Sequence, residues 1–162
     1  MSEDNLNTAA GIRIFLGTKK AARTVADYEA DTYVKLGEIE DIGEFGDTFN
    51  PVTFTSLDDG RVRKYKGTAD AGDLTVTVGF DNTDKGQSAV KKAHADRSKG
   101  DYNIKIVMTD GDPEAAKPVA PTTFYFGAKV MNNTVAPGNA DNVVRRNITL
   151  AINTAVLEVL PA

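Results

Sequence analysis

The 162-residue sequence predicts a mainly β fold, an antiparallel sandwich or barrel of about seven strands, on three observations. Apolar residues recur at every second position in one segment after another, the mark of strands buried on one face. Clusters of Gly, Pro, Asn and Asp separate those segments, as tight turns require. Only one segment carries apolar residues at helical spacing, so the chain does not alternate strand and helix as a parallel α/β protein would.

The elements follow in order. Residues 1–10 are polar and aperiodic and read as a flexible arm, leaving 11–162 as one domain. A strand opens at Gly11, with Ile12, Ile14 and Leu16 alternating with Arg13 and Phe15 until Gly17 and Lys19-Lys20 end it. After a polar connection, 32–41 reads as a second strand, with Val34 and Leu36 on one parity and Tyr33 and Ile39 on the other. Residues 43–47 break it. The extended stretch 49–56 has Pro51 interrupting its ladder, and Asp58-Asp59-Gly60 is a tight-turn signal, so 49–66 is expected to form a long hairpin. Its return arm places Arg61, Arg63 and Tyr65 on one side and Val62, Lys64 and Lys66 on the other. Neither side suits an apolar core, so the hairpin should project from the body.

The body resumes with Leu74, Val76, Val78 and Phe80 on one parity. Residues 81–84 offer N-caps for a helix over about 85–99, where Ala89, Val90 and Ala93 share a face and Gly100 marks the stop. Tyr102, Ile104, Ile106 and Met108 alternate in the next strand. A turn over 109–121 holds Pro113 and Pro118, and Phe124, Phe126, Ala128 and Val130 alternate after it. The last strand, 142–157, sets Val144, Ile148, Leu150, Ile152 and Val156 against Arg145, Asn147, Thr149, Ala151 and Asn153. It exceeds the usual three to ten residues.

A chain of this length buries roughly 68–70% of its unfolded surface, enough for a real core. No stretch approaches the ~18 apolar residues of a membrane helix. The first ten residues lack the basic start and apolar middle of a secretory signal, which favours the cytosol. Zero cysteines exclude disulfides, thiolate metal sites and a cysteine nucleophile. A net charge of −4 and a pI near 5.0 argue against gripping nucleic acid through its phosphates.

Enzyme motifs are sparse. His94 is the only histidine and sits between Ala93 and Ala95 in the helix, a poor place for a catalytic base. Asp110, Asp112 and Glu114 share a loop, but a calcium loop begun there has Pro121 where its bidentate acid belongs. A loop begun at Asp81 has Gly86 in place but Thr83, Lys85 and Lys92 at ligand positions. The acid pairs Asp58/Asp59 and Asp110/Asp112 lie in turns without burial to raise a pKa. No Gly-rich phosphate cradle is present. We therefore assign no catalytic, cofactor or metal residue, and expect no enzyme.

The order of these parts resembles the major tail tube protein of long, non-contractile-tailed bacteriophages. The resemblance is carried by GIRIFLG (11–17), YVKLGEIEDIGEFG (33–46), RKYKGTADAGDLTVTVGFD (63–81) and KGQSAVKKAH (85–94). DYNIKIVM (101–108), TTFYFGAKV (122–130) and VVRRNITLAI (143–152) complete it. It implies a structural virion protein of the tail, built in the host cytoplasm, whose hexameric rings stack into a hollow tube that DNA traverses without specific binding. Implied partners are further copies of itself and the tape-measure, tail-tip and tail-terminator proteins, with no membrane anchor and no cofactor.

On this reading the hairpin buries itself in a neighbouring subunit, with Arg61, Arg63, Lys64 and Lys66 meeting acidic surface and Phe49, Phe54 and Tyr65 anchoring. Asn147, Thr149 and Asn153, on the polar side of the last strand, are candidates for the lumen wall or a ring interface. The acidic pI predicts a net negative lumen. Two other readings compete: a tube subunit of a contractile tail or secretion-system spike, and a monomeric ligand-binding β-sandwich. The absence of tryptophan weakens the second.

Overall fold

The computed structural model describes residues 6–111 and 120–160. Pro113 and Pro118 of the 109–121 turn, Asp112, Glu114 and the first half of the N-terminal arm lie outside these residues. The elements are β1 (Arg13–Leu16), α1 (Val25–Glu29), β2 (Val34–Leu36), β3 (Ile39–Ile42), β4 (Thr48–Thr55), β5 (Val62–Asp70), β6 (Asp73–Gly79), α2 (Lys85–Ala95), β7 (Tyr102–Val107), β8 (Thr123–Ala136), β9 (Arg145–Ile152) and β10 (Leu157–Val159). The antiparallel β prediction holds, with ten strands among the described residues where about seven were expected.

The extra strands have local causes. The predicted second strand, 32–41, is two strands, β2 and β3, separated by Gly37-Glu38, where Glu38 takes a left-handed φ of 58°. The predicted last strand is β9 and β10, laid in sequence along the same strand, β8. Between them the Thr154 hydroxyl accepts the Gly127 N–H at 2.7 Å, replacing a ladder carbonyl. The 18–31 connection holds the short α1, begun by a capping box between Thr24 and Asp27. Helix α2 stops at Ala95, short of Gly100, because Asp96 turns to extended backbone.

The large sheet runs β2-β1-β7-β8-β9-β6-β3, every pairing antiparallel. Its two terminal strands, β2 and β3, are joined by only two residues, so Leu36 and Ile39 stand at most about 11 Å apart. The sheet must therefore curl until its edges meet, which makes it a barrel. Where β3 faces the start of β1 the seam is a groove of ≈ 420 Å³, lined in part by Ile12, Ile39, Ile42 and Met108.

Alternate residues fill the interior as the pattern predicts: Ile14 and Leu16, Leu74, Val76 and Val78, Ile104 and Ile106, Phe126, Ala128 and Val130, and Ile148, Leu150 and Ile152. Helix α2 adds Val90 and Ala93 to that core and packs on β1, β2 and β8. Its first turn is keyed to the barrel. The Asp84 carboxylate accepts from the backbone of both Gln87 and Gly37 at 3.0 Å, and buried Gln87 bridges the Gly79 carbonyl and the Asp81 N–H.

Asp31 holds the 18–31 segment on the outer side. Its carboxylate accepts from the Thr18 backbone and hydroxyl, the Thr32 N–H and the buried Asn103 side chain. Desolvation pushes this carboxyl up, but the four donors outweigh it and the net shift is downward. A depressed carboxylate contributes stability above its unfolded pKa and loses it as pH falls through the folded value. The urea midpoint should therefore be flat to about pH 5 and fall below about pH 4, with Asp31→Asn lowering the neutral-pH midpoint and flattening the acid slope. Equal slopes in both proteins would remove Asp31 from the account.

Candidate assembly surfaces

Strands β3 and β6 pair directly, yet residues 43–72 are inserted between them. Phe45 anchors the insertion, its ring edge-on to Phe124 at 5.1 Å and tilted on Phe126 at 6.1 Å. Beyond this stem β4 and β5 form their own two-stranded sheet, longer than predicted, and every residue of β4 is exposed. The hairpin projects as the sequence reading expects. Pro51 sits beside a register shift between Phe49 and Pro51, where a missing N–H costs the ladder least.

Pairing the two arms corrects the view that neither face is apolar. Residues directly opposite share a face, and Val52 lies opposite Tyr65 while Phe54 lies opposite Arg63. That face is Val52, Phe54 and Tyr65 with Arg63 at its border. The other carries Thr53, Thr55 and Val62 with Lys64 and Lys66, and the Lys66 ammonium rests 4.8 Å from the Phe49 ring centre. At the tip Asp59 accepts from the Arg61 backbone and pairs with Arg63 at 3.0 Å, which holds its pKa down. Among the described residues no carboxylate pairs with the side chains of Arg61, Lys64 or Lys66.

The structure does not bring this hairpin together with Asn147, Thr149 and Asn153. Asn147 and Thr149 lie on the outer face of β9, flanked by Thr77 and Thr75 of β6 and by Thr134 and Asn132 of β8. The Thr77 hydroxyl donates to Asn147 at 3.1 Å. Asn153 stands past the end of β9 and donates to Asp101 at 2.9 Å. The outer face of β6, β9 and β8 is thus a band of hydroxyls and amides. Its two cations are locally neutralised, Arg145 by Glu40 and Lys129 by Asp101 at 2.5 Å. The single-strand reading could name Asn147 and Thr149 but not their four neighbours, because that needs the registers of β6 and β8.

No family model matches the sequence, and no curated protein matches it. Solved structures do. The chain is similar to a chain of the anti-feeding prophage tube-terminating cap (TM-score 0.69, 12% identity, covering 99% of this chain and 95% of that one). It is similar to a chain of the sheath/tube terminator of the extracellular contractile injection system PVC (TM-score 0.68, 11% identity, 98% and 99%). It is also similar to the SPP1 tail tube (TM-score 0.61, 14% identity, 91% and 75%). The overall fold of this chain is therefore one found in tail-tube and contractile-injection assemblies alike.

Proposed function

We propose that this chain is a structural tube subunit, a single domain over 11–162 behind an N-terminal arm, that polymerises as stacked hexameric rings into a hollow phage tail tube. One observation carries the reading: a barrel of the tube fold sends out a long hairpin whose apolar residues Val52, Phe54 and Tyr65 stay exposed and take no part in the core of their own subunit. An isolated two-stranded hairpin is marginal in water, so its folding is completed by a neighbour. The hydroxyl and amide band on β6, β9 and β8 then supplies a wall that DNA passes without being held, with the tape-measure, tail-tip and terminator proteins as further partners.

Negative-stain electron microscopy over a concentration series tests this directly: hollow tubes or stacked rings are expected, and a protein that stays monomeric with tail-tip complex added would overturn it. Phe54→Ser should leave the melting temperature within about 2 °C of the parent while raising the concentration at which tubes appear about tenfold. Assembled tubes should retain almost no DNA at physiological salt, read by co-sedimentation; firm retention would refute the lumen assignment. The similarity to contractile injection assemblies favours a second reading, a tube that sits inside a sheath. A sheath gene beside this one would select it.

A further inference from the structure

The inner face of β6, β8 and β9 runs on past the core at the end of the barrel away from the hairpin. Register puts Val135 opposite Arg146, and the Phe80 N–H bonds the Val144 carbonyl at 2.8 Å. Phe80, Val135 and Val144 therefore form an apolar shelf, and all three are exposed. Between this shelf and the core lies Arg146, only 5% exposed. Its guanidinium stacks 4.9 Å over the Phe80 ring and one Nη donates to Asn133 at 2.8 Å. Its Nε has no acceptor, and no carboxylate pairs with it among the described residues. A buried cation without a counter-charge is costly, so the shelf is built for an apolar group that brings an acid with it.

The hairpin tip has that chemistry. Leu57 is 100% exposed, and Asp58 beside it carries a carboxylate that accepts no hydrogen bond among the described residues, whereas Asp59 is taken up by Arg61 and Arg63. Position agrees as well. The hairpin leaves the barrel at the Asp73 end of β6, and the shelf begins where β6 ends at Gly79, about 20 Å along the strand. The root of the hairpin and the socket lie at opposite ends of one strand. A head-to-tail contact between a tip and the shelf of another copy would repeat without closing.

We infer that the shelf formed by Phe80, Val135 and Val144 around Arg146 receives Leu57 and Asp58 from the hairpin tip of the next copy, as the axial joint between subunits. The inference rests on the tube-subunit reading and fixes where its hairpin ends. Because the chain has no cysteine, introduced thiols report the contact without background. Asp58→Cys and Val144→Cys both alter exposed positions, so folding is spared.

The double variant, assembled and then mildly oxidised, should give a ladder of covalent multimers beyond dimer on a non-reducing gel, and each single variant no more than dimer. Visible tubes without a ladder would overturn the joint and leave the tube reading standing. A chain that forms neither tubes nor ladder, with tail-tip complex present, would overturn both. Capture of Val144→Cys by Glu3→Cys in place of Asp58→Cys would give the shelf to the N-terminal arm and also refute the joint. Asp58→Asn should raise the assembly threshold about tenfold with an unchanged melt, the scale of a lost charge-assisted contact.

Discussion

Excision of residues 50–66, bridged by a short Gly-Ser link, is expected to leave a folded monomer that makes no tubes. The removed residues form a sheet of their own and contribute no side chain to the core, which is filled by β1, β2, β6 to β9 and α2. Phe45, which does pack on Phe124 and Phe126, stays in place. The melting temperature should hold within about 2 °C, since substitutions clear of core, caps and buried networks change little. Assembly should be lost outright, because Val52, Phe54, Tyr65 and the basic residues of β5 leave together. Circular dichroism melts and electron microscopy of the same preparation decide it. Tubes of normal appearance would end the hairpin's assigned role, and an unfolded product would show that the body leans on it.

The second large effect concerns stability. Gly86 lies in the first turn of α2, where a Cβ would fall 2.2 Å from the Lys35 carbonyl oxygen and 2.5 Å from the Leu36 Cα. Both are backbone atoms of β2 and cannot swing aside. Helix propensity alone makes Gly→Ala favourable by about 1 kcal/mol, so a loss reverses the ordinary sign. Moving α2 outward also breaks the Asp84 and Gln87 bonds that tie it to Gly37 and Gly79. Gly86→Ala should cost about 3 kcal/mol, or about 10 °C in Tm for a domain of this size. Ser88→Ala, on the exposed side of the same turn, should move Tm by no more than about 1 °C. Similar melts for the two variants would show that the helix does not sit so close.

Much of the barrel was legible because burial on one face writes itself at period two. Leu74, Val76 and Val78, or Ile148, Leu150 and Ile152, need no partner to declare their side. What stayed hidden was set by pairing. The break at Gly37-Glu38 looks like two unremarkable positions in a strand until the sheet order puts β2 and β3 at opposite edges. Arg61 to Lys66 look unanchored on both sides until Val52 and Phe54 are placed across from Tyr65 and Arg63. Phe80 reads as core by parity, yet β6 ends at Gly79 and the ring is left outside with Arg146 beneath it.

The order in which strands pair also bears on how the protein is made. β1 waits for β7, β7 for β8, and β6 for β9, so no part of the barrel closes until the chain is synthesised nearly to its end. Such distant pairings are slow and leave apolar strands waiting in the meantime. Before then only local pairs can meet, β1 with β2 and β4 with β5. On the joint inferred above, a nascent chain carries its knob long before it owns a socket, because β8 and β9 must both be out to shape the shelf. Chains on one messenger therefore cannot link to one another through half-made bodies, and polymer growth is reserved for finished subunits.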